Sequence, residues 1–392
     1  MSATTLAIRF GTLHDNVGEP RRNGVLLIEG DRISKISDEA PKGVDVIEAG
    51  CVVPGMINCH AHVEMSGEAQ TTSIFILSTP TQRAMTAAEN ARKSIEGGVT
   101  TIREVGGTES IPMDLRDAIN AGKLTGPQIF AAGQPICMTG GHGWWAGREA
   151  DGPWDVRKAV REQRRSGADC IKFIATGGVL TKGAVPGIEQ LSELELREGI
   201  AEAHIHGMKC AAHAIGTGGI KNAVRAGIDS IEHGHLVDEE GIALMRERGT
   251  YIVPTLCAIK CIVEAGPEAG MPDYVLRKAN EIAEHAEQNL RAARAGGVKF
   301  AGGSDAGTPF NYHDAYGREW ELLQSMIGMS ARDALFTVTA SAADLIGTPR
   351  GRLEAGEVAD LLVLDRDIES DAQALRKPKV VIQSGRIVHD RR

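Results

Sequence analysis

Apolar and polar positions follow three different patterns along the chain. Residues 1–53 contain short strand-like runs broken by Gly, Pro, Asn and Asp, without helical periodicity. From Pro54 onward, apolar runs alternate with amphipathic helical stretches, many of which end in glycine. Residues 352–392 return to short strands and turns. The pattern predicts a central domain over 54–351 and one small β domain assembled from 1–53 and 352–392.

Eight apolar runs in the central domain have the length and composition of buried strands. They cover residues 55–62, 99–106, 127–136, 168–176, 208–215, 228–234, 250–256 and 298–306. Continuously apolar strands connected by helices are typical of a parallel sheet that is buried on both faces. Eight such units predict an α/β fold, a (β/α)8 TIM barrel with a small β-sandwich domain formed by the N- and C-terminal segments. A doubly wound open sheet is the alternative, but the sequence lacks the GxGxxG and GxxxxGKS/T phosphate loops of nucleotide-binding members.

Composition and charge narrow the classes of partner. Hydrophobic residues make up 42% of the chain, and the net charge of −9 is spread without an acidic tail, which argues against nucleic acid or an anionic membrane as partner. The seven cysteines include no CxxC pair, so neither a disulfide framework nor a structural zinc finger is expected. No apolar run approaches membrane-spanning length. We expect a cytoplasmic homo-oligomer that acts on a small-molecule substrate.

Residues able to bind a metal recur at the ends of the predicted strands. His60 and His62 lie two apart in a strand, so both imidazoles point to the same face and converge on one point. Barrel active sites lie at the carboxyl ends of the strands, and four further candidates fall at such ends: Lys172, His213, His233 and Asp305. Each alone has a structural explanation, but their common location favours a metal centre.

Lys172 differs from the other candidates because an ammonium group cannot bind a metal. Its apolar neighbours Ile171, Phe173 and Ile174 disfavour the charged form and should lower its pKa. A neutral amine can react with CO2 to form a carbamate, which is in effect an additional carboxylate able to bridge two cations.

Together these motifs resemble the amidohydrolase superfamily over nearly the whole chain. The segments that carry the resemblance are VVPGMINCHAH, IKFIATGG, AAHA, IEHGH, GGSDAG and GRLEAGEVADLLVLD. They are most similar to the dinuclear branch that contains Xaa-Pro dipeptidases, lysine and arginine carboxypeptidases and related amide hydrolases. The resemblance implies two divalent ions, usually zinc. His60, His62 and Asp305 would hold one, His213 and His233 the other, and a hydroxide and carboxylated Lys172 would bridge them.

The implied reaction is hydrolysis of a C–N bond by the bridging hydroxide. Asp305 would take the proton of the nucleophile and pass it to the leaving nitrogen. His142, in the loop CMTGGHGWW, is the candidate for contacting substrate and stabilising the oxyanion. Trp144 and Trp145 of the same loop are expected to form an apolar wall, with Tyr312 on the other side of the site.

The sequence departs from this branch at Ile215, where a His or Tyr often follows the strand-5 histidine by two residues. Since Tyr there can bind a substrate carboxylate, Arg148, Lys182 or Arg318 would have to replace it, unless these are solvated surface charges. An N-acyl amino acid or Xaa-Pro-like dipeptide is the first expectation for the substrate, and a neutral anilide, urea or carbamate is the second. A heterocycle deaminase is a further alternative, which Lys172 argues against, and an inactive relative would be expected to lack ligands.

Overall fold

The computed structural model of the chain describes residues 5–392, with strands at both ends and alternating strands and helices between them. The strands, numbered in chain order, are β1 (Thr5–Leu13), β2 (Arg21–Glu29), β3 (Arg32–Ser37), β4 (Val46–Pro54), β5 (Met56–Ala61), β6 (Val99–Glu104), β7 (Gln128–Ala131), β8 (Ile136–Cys137), β9 (Arg148–Glu149), β10 (Cys170–Ile174), β11 (Lys209–Gly216), β12 (Ser230–Leu236), β13 (Tyr251–Val253), β14 (Lys299–Phe300), β15 (Leu361–Leu364), β16 (Val380–Gln383) and β17 (Arg386–Asp390). The α-helices are α1 (Thr71–Leu77), α2 (Pro80–Glu96), α3 (Ile111–Asn120), α4 (Pro153–Arg165), α5 (Glu193–Ile205), α6 (Thr217–Ala226), α7 (Glu239–Arg248), α8 (Leu256–Ala265), α9 (Asp273–Ala295), α10 (Gly317–Ser325), α11 (Ala331–Thr337) and α12 (Ala340–Ile346).

Local sequence signals explain where helices begin and end. In the capping box of α5, the Ser192 hydroxyl accepts a hydrogen bond from the backbone N–H of Glu195, whose carboxylate accepts one from Ser192 N–H. α6 ends at Gly227, which has a φ of 97°. Glycine adopts this left-handed conformation without a Cβ clash, which agrees with the helix-terminating glycines of the sequence pattern.

Strands from both chain ends share one seven-stranded sheet, in the order β17-β16-β15-β4-β1-β2-β3. At its centre β4 runs parallel to β1 and antiparallel to β15, so that Val52 lies between Leu13 and Val363. The predicted pairing of the N-terminal segment with the C-terminal segment is therefore confirmed. One apolar cluster contains residues from both halves of the sheet, including Ile28 and Ile382.

The central part of the chain forms two parallel sheets, β5-β6-β7 and β14-β13-β12-β11-β10-β8-β9. Backbone hydrogen bonds connect the two sheets on both sides. The N–H of Asp169, just before β10, donates to Ala131 O of β7 (2.7 Å). On the other side, Cys59 N–H of β5 donates to Gly302 O (2.8 Å), and Asp305 N–H donates to His60 O (2.8 Å). The prediction of an α/β protein with parallel strands is confirmed, and each of the eight predicted runs overlaps a strand.

The last predicted strand is shorter than expected, because β14 covers only two residues of 298–306. Asp305 has a φ of 61°, a left-handed conformation that is uncommon for residues other than glycine and outside the extended range of a regular strand. Gly303 allows the segment to approach β5 closely, since a Cβ there would lie 3.0 Å from the backbone N of His60. The turn thus holds Asp305 beside the histidines of β5.

Large side chains fill the space between the strands and the C-terminal helices. Tyr316 and Trp320 are fully buried, and the Tyr316 hydroxyl donates to Ile57 O of β5 (2.8 Å). Among residues 5–392, no helix combines the length and the apolar character that crossing a membrane requires.

Candidate metal centre and active-site cavity

The six predicted metal ligands all line one cavity at the carboxyl ends of the parallel strands. The cavity is partly open to solvent, and its polar lining residues include His60, His62, Lys172, His213, His233 and Asp305. These residues lie on five different strands or strand ends, so it is the arrangement of the strands beside one another that brings them together. The structure thus places them where one ion or two could be bound, and their role as ligands stays a prediction.

On one side of the cavity, which we call the β5 side, His60 and His62 face Asp305. The carboxylate Oδ1 of Asp305 lies 3.3 Å from His60 Nε2 and 3.2 Å from His62 Nε2. The other ring nitrogens are held, with His60 Nδ1 2.7 Å from Glu232 Oε2 and His62 Nδ1 3.0 Å from Gly106 O. Two imidazoles and one carboxylate with donor atoms within 4.8 Å of one another fit a divalent transition metal.

Electrostatics keep the Asp305 carboxylate ionised. Burial raises the pKa of Asp305, but the charges and hydrogen bonds of His60 and His62 outweigh burial and hold that pKa well below its usual value. An ionised carboxylate is both a metal ligand and a proton acceptor.

A buried ion pair lies behind His60. Arg103 on β6 donates from Nη2 to Glu232 Oε1 on β12 (2.8 Å), and from Nε to Cys59 O (2.7 Å). Burial opposes ionisation of Glu232, but the Arg103 guanidinium and His60 lower the pKa of this carboxyl to about 2. The sequence interpretation missed both residues. The sequence does contain a signal for this pair, because Arg103 lies inside the apolar run TTIREVG and Glu232 inside the apolar run SIEHG. A buried charge requires a partner.

On the other side, which we call the β11–β12 side, His213 and His233 have ring centroids 4.5 Å apart. Neutral groups orient them: His233 Nδ1 lies 2.7 Å from Thr255 Oγ1, and His213 Nε2 lies 3.3 Å from Gly177 O. Burial lowers the pKa of both histidines well below the usual value, so both are neutral and able to bind a metal. His233 and Thr255 have φ values of 74° and 48°, an uncommon conformation that recurs at functional sites.

Lys172 lies on β10 between these two sides and is 2% exposed. Burial lowers the pKa of its ammonium to about 8, although the carboxylates of Glu232 and Asp305 oppose the shift. The ammonium form still predominates at neutral pH, but the neutral fraction is much larger than that of an ordinary lysine, which suits the proposed carbamate chemistry. Glu104 on β6, which the sequence interpretation missed, is fully buried with Oε2 unpartnered among residues 5–392, and burial raises its pKa well above the usual value.

His142 lies beside the β11–β12 side, with its ring centroid 4.5 Å from that of His213. The Thr181 hydroxyl accepts a hydrogen bond from Gly143 N–H (3.0 Å) and lies 2.9 Å from His142 Nδ1. If Thr181 donates its proton to Nδ1, His142 carries its own proton on Nε2. Burial lowers the pKa of His142 to about 3, so the ring is neutral at physiological pH.

The aromatic residues predicted to contact substrate occupy different places. Trp145 lines the cavity and packs edge-on against Phe75, with ring centroids 4.9 Å apart. Trp144 is 50% exposed and lines a neighbouring outer depression, while Tyr312 is 45% exposed against Gly67 and does not line the cavity. Their contact with substrate stays a prediction. Adjacency in sequence did not reveal that Trp145 lines the inner cavity whereas Trp144 lines only the outer depression.

Apolar residues make up much of the remaining cavity wall, including Ile215 at the position that departs from the dinuclear branch. The other aliphatic lining residues are Met65, Val105, Ile174, Val179, Leu180, Ile259 and Ile262. His235, which the sequence interpretation missed, is a further buried imidazole in the wall, with Nε2 2.8 Å from Pro254 O.

Comparison with known proteins gives a consistent result. The sequence model of the amidohydrolase family matches residues 51–388. Ochratoxinase of Aspergillus niger is 29% identical over 419 aligned positions, which cover 97% of this chain and 85% of that protein.

Two solved structures are similar over almost their entire length. The structure of a Xaa-Pro dipeptidase with methionine bound in the active site has a TM-score of 0.90 at 32% identity, covering 98% of this chain and 99% of the other. A prolidase in complex with N-methylphosphonate-L-proline has a TM-score of 0.90 at 29% identity, with the same coverage.

Proposed function

Because this chain belongs to the amidohydrolase family, we propose that it hydrolyses an amide-type C–N bond at a centre of two divalent metal ions. The observation that carries this proposal is that six residues with the side chains of a dinuclear site line one largely apolar cavity. We assign His60, His62 and Asp305 to one ion and His213 and His233 to the other, with Lys172 carboxylated between them. Imidazole and carboxylate ligands suit zinc.

The residues around the cavity supply the proton transfer and the orientation of substrate. When bound, two divalent cations would polarise the scissile carbonyl and acidify a water molecule. The ionised carboxylate of Asp305 accepts the proton of the attacking water and then donates it to the leaving nitrogen. Neutral His142 donates from Nε2 to the developing oxyanion, and Trp145 excludes water from the reacting atoms.

We also propose that the two parallel sheets form a closed (β/α)8 barrel over residues 54–351. Backbone hydrogen bonds between β5 and the segment after β14, and from Asp169 to Ala131, support closure. The small β domain would comprise residues 1–53 and 352–392. Its apolar cluster, with members from both halves of the sheet, supports a sheet that folds over itself as a sandwich.

For the substrate, an N-acyl amino acid or a Xaa-Pro-like dipeptide is the first choice. The similarity to a Xaa-Pro dipeptidase and to a prolidase complex with a phosphonate derivative of proline supports this class. The aliphatic wall and Trp145 favour a hydrophobic group next to the scissile bond.

A neutral anilide, urea or carbamate is the second candidate. Within the part of the chain that the structure describes, the cavity lining includes no arginine, and its lysine is Lys172. Ile215 stands where a carboxylate-binding side chain would be expected from the resemblance. The inner cavity therefore has no free cation for a charged substrate.

Metal content and a substrate panel test the proposal together. The purified enzyme should hold two divalent ions per chain, and Lys172→Ala should hold fewer and lose activity. The panel contains N-acyl amino acids, Xaa-Pro dipeptides and neutral anilides, assayed for amine release. One ion in active enzyme, unchanged in Lys172→Ala, would contradict the dinuclear centre. Release of ammonia from a purine or pterin would assign the protein to the deaminases.

A further inference from the structure

A second compartment adjoins the active-site cavity on its outer side. This outer depression is partly open to solvent and shares Trp145 and Leu180 with the inner cavity. Its other walls include Trp144 and Tyr274, so it can hold an apolar or aromatic group. Trp145 and Leu180 belong to one apolar cluster and form the partition between the two compartments.

Lys182 is the charged residue of the outer depression within residues 5–392, and no carboxylate lines the depression with it. Two other cations were candidates for binding a substrate carboxylate. Arg148 is bound to Asp155 and Glu162, and Arg318 is bound to Glu264. Lys182 has no ion-pair partner in the described part of the chain. Of the three cations, it is the one with an unneutralised charge beside the site.

The loop that carries Lys182 is fixed in place. Lys278 of α9 is buried and donates from Nζ to the carbonyls of Gly178, Thr181 and Ala184, and Tyr274 Oη donates to Leu180 O (3.2 Å). The Lys278 ammonium therefore donates its hydrogen bonds within the protein, and the backbone at Lys182 is held against α9. An anchored backbone limits the entropy lost when the lysine side chain engages a ligand.

The partition carries a second unused donor. The indole Nε1–H of Trp145 is buried and has no hydrogen-bond partner among residues 5–392. Because this N–H is shielded from the depression as well, Lys182 is the group within residues 5–392 that offers the depression a charge complementary to an oxygen anion.

We propose that the outer depression binds the leaving half of the substrate and that Lys182 pairs with its free carboxylate. The inference rests on the proposed function and deepens it, since it selects an N-acyl amino acid or dipeptide over a neutral amide. The acyl group and the scissile bond lie in the inner cavity beside the proposed metal ligands, and the carboxylate of the leaving amino acid points past the partition toward Lys182. Lys182 is a specificity-determining residue and takes no part in the bond-breaking step.

The test uses the metal-loaded full-length enzyme and a matched substrate pair, N-acetyl-L-phenylalanine and its methyl ester, assayed by amine release. Wild type should prefer the free acid. Lys182→Met should lower kcat/KM for the acid by about two- to fivefold, as expected for a partly exposed ion pair, and leave the ester almost unchanged. Lys182→Arg should retain the preference, and the exposed Lys42→Met should behave as wild type. The acid preference of wild type should also decrease with added salt.

Product binding separates this inference from the proposed function. L-Phenylalanine and L-phenylalaninamide are titrated calorimetrically into wild type and Lys182→Met. Tighter binding of the acid, lost in Lys182→Met, supports the carboxylate site even if neither acetylated substrate is hydrolysed. In that case the proposed amide hydrolysis would be wrong, whereas the proposed carboxylate site would remain supported. Equal effects of Lys182→Met on acid and ester, or on acid and amide, would overturn the role of Lys182 while leaving amide hydrolysis intact.

Discussion

The β5 side and the β11–β12 side of the candidate metal centre are supported by different chemistry. His60 on the β5 side contacts the carboxylate of Glu232, which is itself paired with buried Arg103. On the β11–β12 side, a hydroxyl and a backbone carbonyl hold His233 and His213. A carboxylate partner makes an imidazole a stronger ligand than a neutral partner does. The two sides should therefore differ in metal affinity and in their dependence on the rest of the fold.

The difference also has a cost for stability. A buried ion pair is expensive to desolvate, and losing one member leaves an uncompensated charge. Loss of the Thr255 hydroxyl leaves only one neutral hydrogen bond unmade. The β5 side thus depends on residues of β6 and β12, whereas the β11–β12 side is supported by the adjacent strand and loop.

The largest effect is expected at Asp305, the carboxylate of the β5 side. Asp305→Asn keeps the shape and one oxygen ligand but cannot accept and return a proton. We expect kcat to fall by about 10²–10⁴-fold, the range usual for general acid–base groups. Metal content is measured on the same sample, so that loss of an ion is distinguished from loss of proton transfer. Activity near wild type with both ions bound would assign proton transfer to another residue.

Next in size is the loss of stability when Arg103 is replaced. Arg103→Met leaves Glu232 buried without its cation, and the free energy of unfolding should fall by about 3–5 kcal/mol. The double variant with Glu232→Gln should be more stable than Arg103→Met alone. Arg92→Met, which breaks an exposed ion pair with Glu89, is the control and should cost less than about 1 kcal/mol. Urea unfolding of the metal-free proteins measures all three, and equal losses for Arg103→Met and Arg92→Met would contradict a special role for the buried pair.

The contrast between the two sides shows what could be predicted from sequence. The convergence of His60 and His62 follows from the two-residue period of a strand, which is a local property. The pairing of Arg103 with Glu232 joins residues 129 positions apart, and it depends on which strands become neighbours across the interior. Their partners could not be assigned from spacing, although the need for partners could be inferred from charge in an apolar run.

The direction of side chains outside regular strands could not be predicted from the sequence either. Trp144 and Trp145 follow each other in a loop without a fixed period, so sequence could not show that only Trp145 reaches the inner cavity while both line the outer depression. Asp305 was predicted at the end of the eighth strand, but β14 ends at Phe300 and Asp305 lies in the turn that follows it. Its left-handed backbone, with a φ of 61°, has no signature in the sequence GGSDAG because aspartate is compatible with several turn conformations.

A smaller effect on metal affinity is expected when the hydrogen-bond partners of His60 and His233 are replaced. Glu232→Gln should weaken divalent metal binding on the β5 side toward the upper end of the roughly 10–100-fold range known for such partners, and Thr255→Val should weaken the β11–β12 side toward its lower end. Valine is similar in shape to threonine, so Thr255→Val removes little besides the hydroxyl. Competition with a chelator measures both affinities. Equal weakening would show that the charge of Glu232 does not distinguish the sides.

The smallest effect concerns the apolar surroundings of the two sides. Trp145 clusters with Met65 near the β5 side, whereas Ile215 lines the β11–β12 side. Fully burying a large apolar group is worth roughly 1.5–3 kcal/mol, and Trp145 is one of several apolar side chains in the wall, so Trp145→Ala should reduce the preference for N-phenylacetylglycine over N-acetylglycine by up to about tenfold. Ile215→Ala should reduce it less, and Trp144→Ala, which removes a half-exposed ring outside the inner cavity, should leave it nearly unchanged.

The ratio of kcat/KM values for the two acylglycines measures this preference in each variant. Because both substrates share the same leaving group, changes in the outer depression cancel in the ratio, and only the inner cavity is compared. A larger loss in Ile215→Ala than in Trp145→Ala would place the acyl group against the β11–β12 side. An unchanged ratio in Trp145→Ala would show that the indole forms only the partition, so that the acyl group would have to contact the aliphatic wall instead.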